Sequence, residues 1–309
     1  MLARIQQFLV LALLGSAVAW FAYFALRGNL LAAGFGASLL VMGYSLFLAG
    51  EFLFLWWSTR LPNSSGPGGP DLVAAWAGEL LVAPRVFFWQ QPFRSKAIPD
   101  RPSVFAAKAC GVVLVHGFVC NRGLWNGWMR ELAAAHVPFV AVNLEPVFGS
   151  ISRYPGIIES AVALLESSTG RQVILVGHSM GGLAIRAWLA THQVPASRVR
   201  RVVTIGTPHL GTWLARFAST KNGKEMQIGS EWLQSLASRE VNSHHELFTC
   251  FYGPCDNIVF PLHCGTLRGA ENRRIERKAH MHMAFAPEPY AEVLRWALCP
   301  VMPQSCGPA

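Results

Sequence analysis

Aspartate is nearly missing from this chain: 309 residues contain three, Asp71, Asp100 and Asp256. Charge of either sign is sparse, with 14% charged residues where a typical soluble protein has about 25%. A chain so poor in charge, and 52% hydrophobic, is expected to place part of itself in lipid. The formal net charge is +9, yet the arginines are spread along the chain. The densest group is Arg273, Arg274, Arg277 and Lys278. Without basic clusters or a binding motif, nucleic acid is excluded as a partner, and attraction to anionic lipid headgroups accounts better for the charge. No cysteine pair has zinc spacing with a matching histidine pair, so no metal site is expected. Seven cysteines, an odd number, leave at least one unpaired in any single-chain scheme. Cys110 fits a buried strand, while Cys250, Cys255 and Cys264 lie close enough in sequence to pair in an oxidising compartment. No internal repeat is visible.

What the chain does have is long apolar runs. From Phe8 to Leu26 no side chain is charged, and as a helix this run spans ~28 Å, close to the ~30 Å hydrocarbon core. Polar Arg27-Gly28-Asn29 interrupts it. Leu30 to Gly50 is again uncharged and continues past Glu51 into Phe52-Leu53-Phe54-Leu55-Trp56-Trp57. The tryptophan pair followed by Arg60 reads as an interfacial belt and anchor. Residues 1–60 are therefore expected to form a membrane hairpin of two transmembrane helices. The competing reading is a cleaved signal peptide, with Arg4 as its flank and Ala17-Val18-Ala19 as its site; the second run would still anchor the chain. Arg4 precedes the hairpin, Arg27 sits in its turn, and Arg60, Arg85, Arg94 and Lys96 follow. The positive-inside bias favours both ends in the cytoplasm. Residues 61–105 read as a linker, rich in Pro, Ser and Gly from Pro62 to Pro70, followed by a juxtamembrane segment. There Asp71 is expected to cap a helix bearing Leu72, Trp76, Leu80 and Leu81, which lie on the bilayer or on the core.

Residues 106–309 alternate between strands and helices. Gly111 to Val115, Phe139 to Val142, Val173 to Val176, Arg201 to Ile205 and Leu247 to Tyr252 read as strands. Leu124 to Ala135, Gly156 to Glu166, the segment after Gly182 and Pro287 to Leu298 read as helices, with a last strand expected over Arg274 to Lys278. Such alternation implies an α/β fold with a mostly parallel sheet covered on both faces.

Gly177-His178-Ser179-Met180-Gly181 sits between a buried strand and a helix, the context a nucleophile elbow requires. The turn lifts the Ser179 hydroxyl from the carboxyl edge of the sheet, and the helix N-terminus favours negative charge nearby. Activating a serine takes a base and an acid that orients it, which at such an elbow follow in the order acid, then histidine. Asp256 is the one aspartate beyond Ser179, in a turn after a strand; Glu271 and Glu276 are the alternatives. Downstream histidines are His263, His280 and His282. His263 is too near Asp256, His280 begins the loop after the expected last strand, and His282 stands as its alternative. The oxyanion hole is expected from the backbone N–H groups of Met180 and Phe118, while His116 and His178 brace these turns.

These residues resemble the bacterial α/β-hydrolase lipases and esterases. His116-Gly117-Phe118, continuing Cys120-Asn121-Arg122-Gly123-Leu124-Trp125, is similar to that family's oxyanion loop. Gly177-His178-Ser179-Met180-Gly181-Gly182 is similar to its elbow, Gly206-Thr207-Pro208-His209-Leu210-Gly211-Thr212 to the segment after the next strand, Gly229-Ser230-Glu231-Trp232-Leu233 to a cap stretch, and Asp256-Asn257-Ile258-Val259 to its acid turn. The similarity runs from about Val112 to Leu298. It departs at the histidine, where the family's Gly-x-Gly-His is replaced by Arg277-Lys278-Ala279-His280. The resemblance implies the α/β-hydrolase fold and a Ser179–Asp256–His280 triad without a cofactor. The hairpin lies outside the resemblance; with its flanking charges it leads to the expectation of a bacterial inner-membrane protein whose catalytic domain faces the cytoplasm. A long connection, residues 212–246, reads as a cap or lid holding Trp213, Leu214, Phe217, Met226, Trp232 and Leu236. Expected substrates are lipid or other acyl esters. An acyltransferase or thioesterase using the same triad, and a non-catalytic membrane scaffold, are the rival readings. The oligomeric state is not legible.

Overall fold

The structure, a computed structural model, describes residues 1–59, 66–103 and 109–299. Arg60, the first four residues of the Pro62–Pro70 stretch, the boundary placed at 105 and Cys306 lie outside them. The two uncharged runs form helices α1 (Leu2–Leu26) and α2 (Leu30–Ser58). A helix satisfies its own backbone, which is what an apolar segment needs in lipid. Asn29 caps α2, its side chain accepting from the Ala32 amide at 3.0 Å. Phe8, Phe35 and Phe47 are 70%, 74% and 70% exposed, a bareness that suits contact with lipid.

A third helical segment is also long and apolar enough to cross a membrane, Gly69–Arg94, where sequence reading counted two. Helix α3 (Gly69–Pro84) runs through a π-helical turn (Arg85–Gln90) into α4 (Gln91–Arg94). Gly68 holds the N-cap position. Asp71, expected there, sits in the first turn and meets Arg277 Nε at 3.0 Å. Leu72 is buried while Leu81 is 79% exposed, so α3 rests one face on the protein and turns the other outward.

The remaining chain builds one six-stranded sheet, ordered β2-β1-β3-β4-β5-β6. Its strands are β1 (Gly111–Val115), β2 (Phe139–Ala141), β3 (Val173–His178), β4 (Val199–Ile205), β5 (Phe248–Tyr252) and β6 (Glu271–Arg274), all paired in parallel. Alternate side chains of a strand go to opposite faces. Val113, Val115 and Leu175 accordingly join Ile158, Val162 and Leu183 of α6 (Pro155–Thr169) and α7 (Met180–Thr191). Val112, Leu114 and Ile174 join Met129 and Val293 of α5 (Asn126–Ala134) and α11 (Pro287–Leu298). Between β4 and β5 lie α8 (Lys221–Glu225) and α9 (Glu231–Arg239), and α10 (His280–Met283) precedes α11. The last strand occupies Glu271–Arg274, upstream of the expected Arg274 to Lys278. It is an edge strand held through its backbone by β5 in the register Thr249↔Glu271 to Tyr252↔Arg274, and the left-handed Arg277, at φ 58, ends the extension. Among the described residues no disulfide forms: Cys110, Cys120, Cys250, Cys255 and Cys264 are buried free thiols and Cys299 an exposed one.

The residues between β4 and β5 are pinned to the helix behind the elbow. Arg186 of α7 forks onto Glu240, Nε to Oε1 and Nη2 to Oε2, each at 2.7 Å, and donates from Nη1 to the His209 carbonyl at 2.7 Å. The two side chains are 4% and 6% exposed. Burial resists ionisation of Glu240, but the Arg186 bonds and His245 outweigh it and bring the pKa to about 2. Removing one partner of a buried pair leaves an uncompensated charge and costs about 3–5 kcal/mol. Glu240→Gln is expected to lower the thermal midpoint of the sheet domain, followed by near-UV circular dichroism in detergent. The contribution is complete above the ordinary carboxyl pKa of 4.5 and is lost as pH falls through about 2, so the gap between wild type and variant should close over that interval; a gap independent of pH would show that the pair contributes nothing through its charge.

Candidate active site

β3 ends at His178 and α7 begins at Met180, so Ser179 alone makes the turn. Its backbone is left-handed, φ 54 and ψ −128, a conformation that costs a non-glycine residue of order 1–3 kcal/mol. The Ser179 amide donates to the Ile205 carbonyl at 2.9 Å, and its carbonyl accepts from Thr207 Oγ1 at 2.9 Å, so neighbouring β4 clamps the strained turn. The turn is also crowded. A Cβ on Gly181 would run into the Val115 carbonyl, and one on Gly117 would lie 2.8 Å from Ser179 Cβ. Small residues are required here because the β1 loop passes directly over the serine.

That loop carries Phe118, one residue beyond the Gly117 that approaches Ser179, and α7 opens on Met180, directly after the serine. The Met180 amide is the first of its helix, where N–H groups have no intrahelical acceptor. The Cys120 amide closes the loop onto the Gly117 carbonyl at 3.3 Å. His116 and His178 brace these turns: His116 Nε2 accepts from the Leu144 amide at 3.0 Å, and His178 Nε2 meets the His280 carbonyl at 3.2 Å. Burial holds His116 at a pKa of about 4 and His178 well below the ordinary value, the latter also opposed by His280 charge. Both are therefore neutral.

Asp256 lies in the turn after β5, its Oδ1 accepting from the Ile258 and Val259 amides at 2.9 and 2.8 Å. His280 opens α10, and its Nδ1 stands 3.0 Å from both Asp256 oxygens. With Nδ1 donating to that carboxylate, Nε2 is left for a second partner. The imidazole packs against His178, the residue before Ser179, with ring centroids 4.7 Å apart. Burial lowers the His280 pKa, but the Asp256 carboxylate, helped by Glu79 and Glu51, raises it above the ordinary 6.5.

The alternatives lie elsewhere. His282 turns away from Asp256 toward α3: Lys278 Nζ is 3.1 Å from its Nε2, and a Cβ on Gly78 would collide with its ring. Burial and Lys278 lower its pKa. Glu271 pairs with Arg201 and Arg273, and Glu276 with Arg274. Among the described residues no group of three or more His, Cys, Asp or Glu side chains is placed to share a metal ion.

Three polar residues at the site escaped sequence reading. Asn257 donates from Nδ2 to Glu51 Oε2 at 2.7 Å and accepts the His280 amide on Oδ1 at 3.1 Å. Glu79 accepts the Met281 and His282 amides at 3.1 and 2.9 Å. A signal did exist for Glu51, a lone carboxylate within an apolar run, since an ionisable group in such a segment is a site candidate by default.

Comparison with known proteins agrees with this architecture. A sequence model described as alpha/beta hydrolase fold matches residues 112–251. Mature Bacillus licheniformis lipase BlEst2 superposes with a TM-score of 0.53 at 18% identity, over 60% of this chain and 91% of the lipase. Aspergillus fumigatus lipase B gives 0.51 at 18% identity, over 59% of this chain and 51% of that one. A search of curated protein sequences finds no match. The chain has the α/β-hydrolase fold, preceded by long apolar helices, and its likeness to lipases is structural and distant.

Proposed function

We propose that this protein is a membrane-anchored serine hydrolase that cleaves carboxylic esters, with lipid or other acyl esters as substrates. The observation that carries the reading is His280, held on Asp256 through Nδ1 and stacked on His178, the residue that precedes the strained Ser179. In the proposed mechanism His280 Nε2 takes the Ser179 proton as Oγ attacks the ester carbonyl. The Met180 and Phe118 amides stabilise the oxyanion, and Asp256 holds the imidazole tautomer and steadies its charge. The imidazolium returns the proton to the leaving alcohol, and water, deprotonated by the same histidine, then releases the acid from Ser179. Neither step calls on a cofactor.

Apolar surroundings favour a greasy substrate. A groove of about 390 Å³ between α2 and α3 is lined by Phe52, Trp56, Leu72 and Trp76 among others. Phe52 and Leu72 also pack with Phe260 and Ala279, next to the acid turn and His280. Within the 212–246 segment, Met226 and Leu236 belong to the core, while Trp213 packs on Phe54 of α2 at 4.5 Å and Phe217 is 71% exposed.

The anchor reading draws on the same contacts. The Met1 amine lies 3.1 Å from Glu145, and Glu51 near the other end of the hairpin reaches Asn257. Both ends of the α1–α2 hairpin thus meet the catalytic domain, as two crossings require, and α3, docked along the domain, is placed at the membrane interface. The positive-inside bias of the basic residues flanking the hairpin favours the cytoplasmic side of a bacterial inner membrane for the domain.

Hydrolysis of a p-nitrophenyl acyl ester by the full chain in detergent, followed against pH, tests the base. His280 must lose its proton to act, and its pKa is raised, so kcat/KM should climb with pH through an apparent pKa above 6.5. A rate already flat below pH 6 would sink His280 as the base. Competition between water and an added alcohol separates hydrolysis from acyl transfer.

A further inference from the structure

We propose that the N-terminal helices are working parts of the active site, each supplying one polar side chain, Gln6, Glu51 or Glu79, that positions one of its loops. The inference rests on the serine-hydrolase reading above and deepens it.

From α1, Gln6 donates to Gln91 Oε1 at 3.2 Å and to the Val119 carbonyl at 3.5 Å, and accepts from Asn121 Nδ2 at 3.4 Å. Gln91 Oε1 in turn takes the Asn121 amide at 3.0 Å. This network holds the loop that presents Phe118. From α2, Glu51 fixes the Asn257 amide group, whose oxygen holds the His280 backbone N–H. From α3, Glu79 places both carboxylate oxygens on the first turn of α10, capping a helix too short to hold itself in place. Oxyanion loop, acid turn and histidine loop are each tied to a different N-terminal helix.

Energetics argue that these side chains do more than decorate an anchor. Gln6 and Glu79 are 8% and 4% exposed, and burying such groups is costly unless their hydrogen bonds are made. A helix needed only for attachment is better served by leucine at all three positions. Here each polar head is spent on a loop of the site, so the position of His280 relative to Ser179 depends on how the helices sit. Four titratable groups face His280: Asp256 from the β5 turn, Glu51 from α2, Glu79 from α3 and His178 from the end of β3, the last neutral. Gln6, Glu51 and Glu79 touch no reacting atom; they are positioning residues.

The test uses the full chain in lipid nanodiscs and reads two quantities against pH: the rate constant for phosphonylation by a fluorophosphonate probe, and kcat and KM for p-nitrophenyl butyrate. The phosphonylation rate constant does not depend on how much of a preparation is folded. Glu51→Leu removes the bond to Asn257 and should slow both reactions roughly 100-fold, the loss typical of a misplaced catalytic group, with KM little changed. Glu51→Gln keeps an acceptor for Asn257 and should recover most of the rate. Glu79→Gln, which puts an amide nitrogen against one of the two backbone donors, should slow both reactions with KM little changed, and Gln6→Leu should do the same through the oxyanion loop. Wild-type rates in Glu51→Leu and Glu79→Gln would overturn the proposal while leaving the hydrolase reading intact. An unreactive wild type would overturn both.

Discussion

Ser179→Ala is expected to lose all fluorophosphonate labelling and to lower ester turnover by about 10⁶-fold, the scale seen when a triad nucleophile is removed. The argument starts at the backbone. Ser179 is held at φ 54 between a buried strand and the first turn of α7, and in the proposed mechanism its hydroxyl is the nucleophile. Alanine has the same backbone requirements to within one atom, so the elbow, the sheet and the helices should be unaffected. Circular dichroism and membrane extraction identical to wild type would accompany the loss. Labelling that persists in Ser179→Ala would place the reactive nucleophile elsewhere. A wild type that never labels would favour the scaffold reading.

The second large effect falls on the acid and the base. His280→Ala removes the only imidazole placed on Asp256 among the described residues, and should lower kcat by about 10⁶-fold, because base and nucleophile act as one unit. Asp256→Asn keeps the shape but offers a donor where the carboxylate accepted. His280 is then driven toward the wrong tautomer, and kcat should fall about 10⁴-fold. His282→Ala is the control, because its ring lies against Gly78 and Lys278; it should keep kcat within a few-fold of wild type. Loss of labelling in His282→Ala with retention in His280→Ala would exchange their roles and require the loop to move.

Much of this architecture was legible in the chain. Val112 to Val115 and Val173 to Val176 are short branched apolar runs, and sheet strands covered on both faces read that way because neither face meets water. The elbow was legible because its glycines mark close backbone approach. Asp256 stood out by scarcity, with two other aspartates in the chain and both upstream of Ser179. β6 was misplaced for the converse reason. Its residues, Glu271-Asn272-Arg273-Arg274, carry no apolar pattern, and it is held by β5 backbone and by Arg201 and Arg273 on Glu271. The third apolar helix was read as a juxtamembrane segment because Asp71, Glu79 and Arg85 interrupt it.

What the sequence by itself determined, then, is local: which segments are strands or helices, where the chain is greasy enough for lipid, and which serine sits at a strand–helix turn. Periodicity and turn chemistry are short-range properties, written in neighbouring residues. Only the tertiary structure decided that Gln6, Glu51 and Glu79 reach Val119, Asn257 and the His280 loop, across sequence separations of 113, 206 and 203 residues. No periodicity encodes such a meeting. It follows from the parallel sheet, which gathers the carboxyl ends of its strands at one edge, and from three apolar helices whose few polar groups, once buried, find their hydrogen-bond partners at that edge.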